Sequence, residues 1–241
     1  MSDAGALGRQ LAEDGFAIVN EGLEAGEIDA LLRDLDAARL LAAGRGGVRD
    51  ILRRCPRASG LVSHPRVRDV VREVLGVGAF AVRGVLFDKH AGANWKVPWH
   101  QDVTIAVQEM TPACGYGPWS DKAGVPHVQP PVEVLDQMLA MRVHLDACGA
   151  SNGALQVLPG SHRRGRLSDA EIAAAARAER PVTCSVRQGG FLLMRPLLVH
   201  RSSSATAVDR RRVLHLEFAS CTLAAGLEWA ERWPVHRAVD E

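Results

Sequence analysis

The side chains of this chain best suited to chemistry are His100 and Asp102, in the run Trp99-His100-Gln101-Asp102, together with His200 far downstream. On an extended strand alternate side chains share a face, so His100 and Asp102 can turn toward one point. A histidine from another strand would complete three ligands for one metal ion. Two imidazoles and a carboxylate leave three positions open on an octahedral ferrous ion, room for a chelating co-substrate and dioxygen. The His-x-Asp pattern alone selects nothing, because His144-Leu145-Asp146 repeats it.

The elements that would position these residues follow Gly76, where the sequence turns to short β-rich segments. They are residues 79–87, 102–107, 138–145, 154–158, 181–186, 191–194, 197–200 and 211–219, punctuated by glycine and proline. About eight such strands imply a double-sheet jelly roll. In the last of them Arg211, Val213, His215 and Glu217 share one face, and Leu214, Leu216 and Phe218 the other. The polar face points either into the barrel mouth or into water.

Helices precede the strands. Leu7 and Leu11 mark a short one, followed by a Phe16–Val19 strand. From about Glu24, Ile28, Leu31, Leu32 and Leu35 recur at helical spacing, with Gly44-Arg45-Gly46-Gly47 as the expected stop. Pro65 opens another helix, buried through Val67, Val70, Val71 and Val74 and ended by Gly76. Ser168-Asp169-Ala170-Glu171 has capping-box spacing. The expected architecture is mainly β with flanking helices around a double-stranded β-helix (jelly-roll, cupin-like) core. One domain would span 1–241, with helical support to about residue 76 and the core over about 77–220.

Residues 107–132, rich in proline and glycine, read as a long irregular segment. Tyr116, Trp119, Lys122 and His127 within it would either cover a substrate or pack on one another. A chain of 241 residues with 47% hydrophobic content can bury a full core. The net charge of +1, without a long run of one sign, favours neither nucleic acid nor an anionic membrane surface. Nor does any apolar run approach the ~20 residues of a membrane span. The 5 cysteines, widely spaced and without a C-x-x-C pair, read as reduced thiols. The expectation is a soluble cytoplasmic protein with a small-molecule partner; its oligomeric state is not encoded legibly.

Taken in order, Phe87-Asp88-Lys89, Val97-Pro98-Trp99-His100-Gln101-Asp102, the stretch Asn152-Gly153 through Pro159-Gly160-Ser161-His162, then His200 and Arg211 carry a specific likeness. Together they resemble the phytanoyl-CoA dioxygenase family of iron(II)- and 2-oxoglutarate-dependent oxygenases, from the Gly15-Phe16 strand through Ala219. The resemblance implies that His100, Asp102 and His200 hold the iron and form the catalytic centre. It implies that Arg211 and Ser202 hold the distal carboxylate of 2-oxoglutarate, for which a guanidinium fork is matched in geometry. Lys89 corresponds to a family lysine that lines the site or braces its loop. Arg142 stands where some members carry tryptophan. It is read as a pocket residue for 2-oxoglutarate or an anionic substrate, or as a buried arginine paired with an acidic neighbour.

By the same likeness His144 and Asp146 are structural, and His162 is a hydrogen-bonding residue of its turn. The implied reaction consumes 2-oxoglutarate and O2, releases succinate and CO2, and hydroxylates an unactivated C–H bond of a small organic metabolite. A carboxylate at Asp102, where related halogenases have a small residue, argues for hydroxylation; desaturation, epimerisation or ring formation would use the same centre. Two other readings stay open: a cupin-like metalloenzyme with the same ligands but no 2-oxoglutarate, and a non-catalytic small-molecule binding module.

Overall fold

The computed structural model describes residues 5–41, 47–90, 92–205 and 210–236. The strands are β1 (Phe16–Val19), β2 (Phe80–Lys89), β3 (Val97–His100), β4 (Ile105–Ala106), β5 (Trp119–Lys122), β6 (Val125–Val128), β7 (Met138–His144), β8 (Leu155–Val157), β9 (Val182–Thr183), β10 (Phe191–Met194), β11 (His200–Ser202), β12 (Arg211–Ala219) and β13 (Trp233–Pro234). The α-helices are α1 (Ala6–Glu13), α2 (Ala25–Ala37), α3 (Ile51–Arg54), α4 (Pro56–Gly60), α5 (Pro65–Leu75), α6 (Val132–Asp136) and α7 (Asp169–Ala178).

Two sheets face each other, a six-stranded one in the order β1-β10-β7-β12-β2-β13 and a four-stranded one in the order β3-β11-β8-β9. This is the expected jelly roll, with α1–α5 against the outer face of the large sheet and α7 against β3 of the small one. Alternation decides what each face of the large sheet does. Leu139, Met141, Val143, Leu214, Leu216 and Phe218 turn outward into one apolar cluster with Leu11, Ile28, Leu31, Leu35, Val67 and Val71 of the helices. Ala140, Leu192 and Met194 turn inward against Leu155, Val157 and Leu198. The helices therefore satisfy the outer face and leave the inner one free to line a cavity. At Gly84 the contact is too close for a side chain: a Cβ would lie 2.7 Å from Ile51 Cγ2 and 2.8 Å from Leu52 Cγ.

Several boundaries differ from expectation. Helix α2 starts with a capping box between Glu24 and Glu27 and ends at Ala37, where Arg39 takes a left-handed φ of 54°. It stops ahead of the Gly44–Gly47 stretch, of which 44–46 lie outside the described residues, as does the N-terminal tetrapeptide. The expected strands 102–107 and 181–186 shrink to β4 and β9, and the 197–200 segment pairs over His200–Ser202 instead. Asp102 thus lies just beyond the end of β3, not within a strand.

Residues 107–132 are the largest correction. They hold the β5–β6 hairpin, which pairs with β4 as a three-stranded sheet. Ala123 and Gly124, with φ of 59° and 81°, make the turn between Lys122 and Val125. Two successive positive φ values match the twist of a tight hairpin. The strands are too short to show alternation in sequence. Tyr116 and Trp119 pack with Phe80, Ile105 and Trp229 in a core cluster, so they do not form a lid. Helices α3 and α4 and strand β13 had no anticipated counterpart. The capping box at Ser168 is present: Ser168 N donates to Glu171 Oε2 at 2.8 Å, and Glu171 N to Ser168 Oγ at 3.4 Å. Among the described residues no helix is long and apolar enough to cross a membrane.

Candidate metal centre and its pocket

β3 and β11 run antiparallel with His100 opposite His200. Their rings lie 4.2 Å apart between centroids. Beyond β3 the chain is pinned by Asp102 N donating to Pro196 O at 2.9 Å, which brings the Asp102 carboxylate back to both rings. His100 Nε2 is 3.8 Å from one carboxylate oxygen and His200 Nε2 3.7 Å from the other. The donor atoms of all three residues lie within 4.8 Å of one another.

Each ring is oriented from behind. His100 Nδ1 lies 2.8 Å from Pro98 O, and His200 Nδ1 2.9 Å from Leu198 O. A carbonyl only accepts, so each Nδ1 carries the proton and each Nε2 presents a lone pair to the shared point. Burial pushes the His200 imidazole down to about 4, against the pull of Asp102. Burial works against the Asp102 charge, yet the His200 and His100 rings hold its carboxyl at about 2. At neutral pH the group is thus one carboxylate and a neutral His200 ring, a donor set that fits a divalent iron. His200 is 5% exposed in its side chain, whereas His100 and Asp102 are 34% and 40% exposed, so the centre opens on one side.

Gln101, between two ligands, is buried the other way. Its amide donates to Leu197 O at 2.7 Å and Gly165 O at 2.9 Å, and accepts from Leu167 N at 2.8 Å. Replacement by leucine leaves these backbone groups without their partner. We expect Gln101→Leu to lower stability by roughly 2–4 kcal/mol, measured by denaturant unfolding of the apo-protein. A loss under ~0.5 kcal/mol would mean that the amide does not brace the segment.

The three ligands line a cavity of about 120 Å³ together with Lys89, Arg142, Ser202 and Arg211. Arg211 and Lys89 are opposite each other on β12 and β2. Arg211 is 3% exposed, donates to Gly153 O and, at 3.7 Å, to Cys148 Sγ, and its Nε has no partner among the described residues. Lys89 Nζ donates to Ser202 Oγ at 2.7 Å and Ser203 O at 3.2 Å. Its ammonium is pushed down to about 7 by burial, and then by Arg211 and Arg142. Burial, with Arg211 next, brings Arg142 down to about 10. No acidic neighbour pairs with Arg142 among the described residues; it contacts His215 Nδ1 at 3.4 Å and the Phe87 ring.

The arginine tract resolves by alternation. Arg210 pairs with Asp88 at 2.6 Å and Arg212 with Asp146 at 2.6 Å, leaving Arg211 to the cavity. Asp146 is thereby committed to Arg212 and removed from its histidine. His144, 3% exposed, is pushed down to about 3 by burial and by Arg142 and Arg211. His162 lies with Nε2 3.2 Å from Ala12 O, a structural role.

Sequence reasoning missed Arg83, Phe87 and Trp95 as cavity residues, and it noted His215 and Glu217 only as a polar face. Arg83 donates to Glu217 at 2.9 Å, and Glu217 lies 3.2 Å from His215 Nε2. The period-two run Arg83, Val85, Phe87, Lys89 opposite Glu217, His215, Val213, Arg211 was the available signal.

Comparison with known proteins follows the same lines. No curated protein sequence matches the chain. Among solved structures, a non-heme alpha ketoglutarate dependent carbocyclase, SnoK from nogalamycin biosynthesis, superposes at a TM-score of 0.70 with 16% identity, over 92% of this chain and 85% of its own. EctD from S. alaskensis gives 0.69 with 21% identity, over 91% and 79%. The epimerase SnoN, in complex with Fe3+, alpha ketoglutarate and nogalamycin RO, gives 0.69 with 18% identity, over 90% and 83%. At these identities the likeness is one of fold. The family model described as phytanoyl-CoA dioxygenase (PhyH) matches residues 11–213, a span that holds all three histidine and aspartate donors and the arginine of the cavity, and the chain belongs to that family.

Proposed function

We propose that the protein is an iron(II)- and 2-oxoglutarate-dependent dioxygenase that hydroxylates an unactivated C–H bond of a small organic metabolite. The observation that carries this is the polarity of the 120 Å³ cavity. The clustered His100, Asp102 and His200 donors line it, and so do Lys89, Arg142 and Arg211, none of these three in an ion pair among the described residues. Unpaired buried cations call for an anion. A dicarboxylate that chelates at the metal and ends on guanidinium answers both requirements.

His100, Asp102 and His200 would hold the iron. When bound, iron with 2-oxoglutarate and O2 supplies oxidative decarboxylation to succinate and CO2, with one oxygen atom inserted into the C–H bond. Arg211 and Ser202 hold the distal carboxylate, the guanidinium through its free Nε side and the hydroxyl while accepting from Lys89. Arg142 adds charge from β7. The relatives named SnoK and SnoN are described as a carbocyclase and an epimerase, so the outcome at the substrate carbon is the part that hydroxylation assays must decide.

Anaerobic titration with Fe(II) and then 2-oxoglutarate tests the reading. We expect a weak visible charge-transfer band of the chelate, absent in His200→Ala. Iron binding without the band, and no succinate in air, would favour a metalloenzyme that does not use 2-oxoglutarate.

Lys89 adds a pH signature. With its ammonium near 7, the free protein loses that proton as pH rises through 7. An anion beside it favours the charged form and raises its pKa. Co-substrate binding at pH 8 is therefore expected to take up a fraction of a proton, and affinity to fall as pH rises further. Calorimetry in buffers of different ionisation enthalpy measures the uptake. Lys89→Met should abolish it; persistence in that variant would assign the proton elsewhere.

A further inference from the structure

On the inner face of the large sheet four polar side chains connect across three strands. Arg83 on β2 lies opposite Glu217 on β12, and His215 on β12 lies opposite Arg142 on β7. Arg83 Nη1 donates to Glu217 Oε1 at 2.9 Å, the same oxygen lies 3.2 Å from His215 Nε2, and His215 Nδ1 lies 3.4 Å from Arg142 Nη1. All four residues line the metal cavity. Of the four, only Arg142 has a binding role so far.

The direction of each contact follows from the groups involved. Glu217 is ion-paired with Arg83, and a carboxylate only accepts. His215 Nε2 therefore carries the proton, and Nδ1 is a bare acceptor for an Arg142 N–H. In the opposite tautomer two donors would face each other. Among the described residues His215 is the only hydrogen-bond partner of Arg142, whose Cζ otherwise sits 5.2 Å from the centre of the Phe87 ring. The His215 ring meets the same Phe87 edge-on, with centroids 5.9 Å apart. Arg142 Nη2 has no partner among the described residues and, unlike the enclosed Nε, keeps accessible surface in the cavity.

An acidic partner would neutralise Arg142, whereas a neutral imidazole holds the guanidinium and leaves its charge for a ligand. Arg211 and Lys89, the like charges of the same cavity, favour rotamers that carry Arg142 away from them, and the contact with His215 opposes this. We propose that Glu217 is a positioning residue of the co-substrate site: by fixing the Nε2–H tautomer of His215 it makes Nδ1 an acceptor that holds Arg142 with its Nη2 edge toward a bound carboxylate. This rests on the oxygenase reading for the identity of that carboxylate, an end of 2-oxoglutarate.

Two measurements test it. Long-range proton–nitrogen NMR of the metal-free protein, with His215 assigned through the backbone, reads the tautomer directly. We expect Nε2–H in wild type; Nδ1–H or a doubly protonated ring would overturn the proposal. The dissociation constant of 2-oxoglutarate, from anaerobic titration of the chelate band at saturating Fe(II), reads the consequence. Arg142→Leu should raise it at least about tenfold and Glu217→Leu at least about fivefold, while Glu217→Gln, which keeps an oxygen for Arg83 and His215, should stay within about twofold. Glu217→Leu also leaves Arg83 as a fourth unpaired cation of the cavity, so charge alone predicts tighter binding and lost position predicts weaker. In an Arg142→Leu background Glu217→Leu should add nothing. Unchanged binding in Arg142→Leu, unchanged or tighter binding in Glu217→Leu, or the same loss with and without Arg142 would sink the proposal. Should Glu217→Leu fail to fold by circular dichroism, the wild-type tautomer and Arg142→Leu still decide. A chelate band in wild type with variants that bind as wild type sinks the proposal alone. Absence of the band in wild type sinks the oxygenase reading, and the affinity of the same variants for glutarate then decides the positioning role.

Discussion

Asp102→Ala is expected to abolish turnover and to weaken Fe(II) binding by roughly a hundredfold or more, beyond the roughly 10–100-fold lost with an outer partner of a metal ligand. Asp102 is the anionic donor of the site, facing His100 Nε2 at 3.8 Å and His200 Nε2 at 3.7 Å. Without it two imidazoles remain, with less charge and fewer donors than a divalent ion needs in competition with water. The carboxylate is 40% exposed and makes no fold-bearing side-chain hydrogen bond among the described residues, so the variant should keep its fold. Anaerobic calorimetry with Fe(II), beside an unfolding curve, separates the two effects. Wild-type iron affinity in this variant would remove the proposed centre.

Arg211→Lys should raise the 2-oxoglutarate requirement at least ~30-fold, equivalent to roughly 2 kcal/mol, while leaving Fe(II) affinity unchanged. Lysine keeps the charge but loses the planar fork that meets both carboxylate oxygens. It would also stand beside Lys89, whose ammonium burial and the neighbouring arginines already press down to about 7. The readout is the co-substrate dissociation constant from titration of the chelate band. A lysine variant indistinguishable from wild type would pass the role to Arg142, the other guanidinium lining the cavity without an ion pair among the described residues.

Much of this molecule is legible in its sequence. The change from helical spacing to short β-rich segments beyond Gly76 predicts the jelly roll, because burying one face of each strand requires a second sheet. The ordered motifs pick His100 over His144, and in the structure Asp146 is spent on Arg212. The alternation in β12 divides Arg211, His215 and Glu217 from Leu214, Leu216 and Phe218, whatever those faces meet.

The tertiary structure decided what they meet. The helices of the first third cover the leucine face, and this turns Arg211 inward instead of toward water. The choice among Arg210, Arg211 and Arg212 depended on partners distant in sequence, Asp88 and Asp146, that no local pattern reveals. The β5–β6 hairpin escaped notice because its strands are only four residues each, and because its pairing partner β4 lies upstream of them. The pairing of Arg83 with Glu217 arises because β2 and β12 lie side by side although the two residues are 134 apart in sequence. Local periodicity records which face a residue takes; convergence depends on how the sheets close, and that is set by long-range packing.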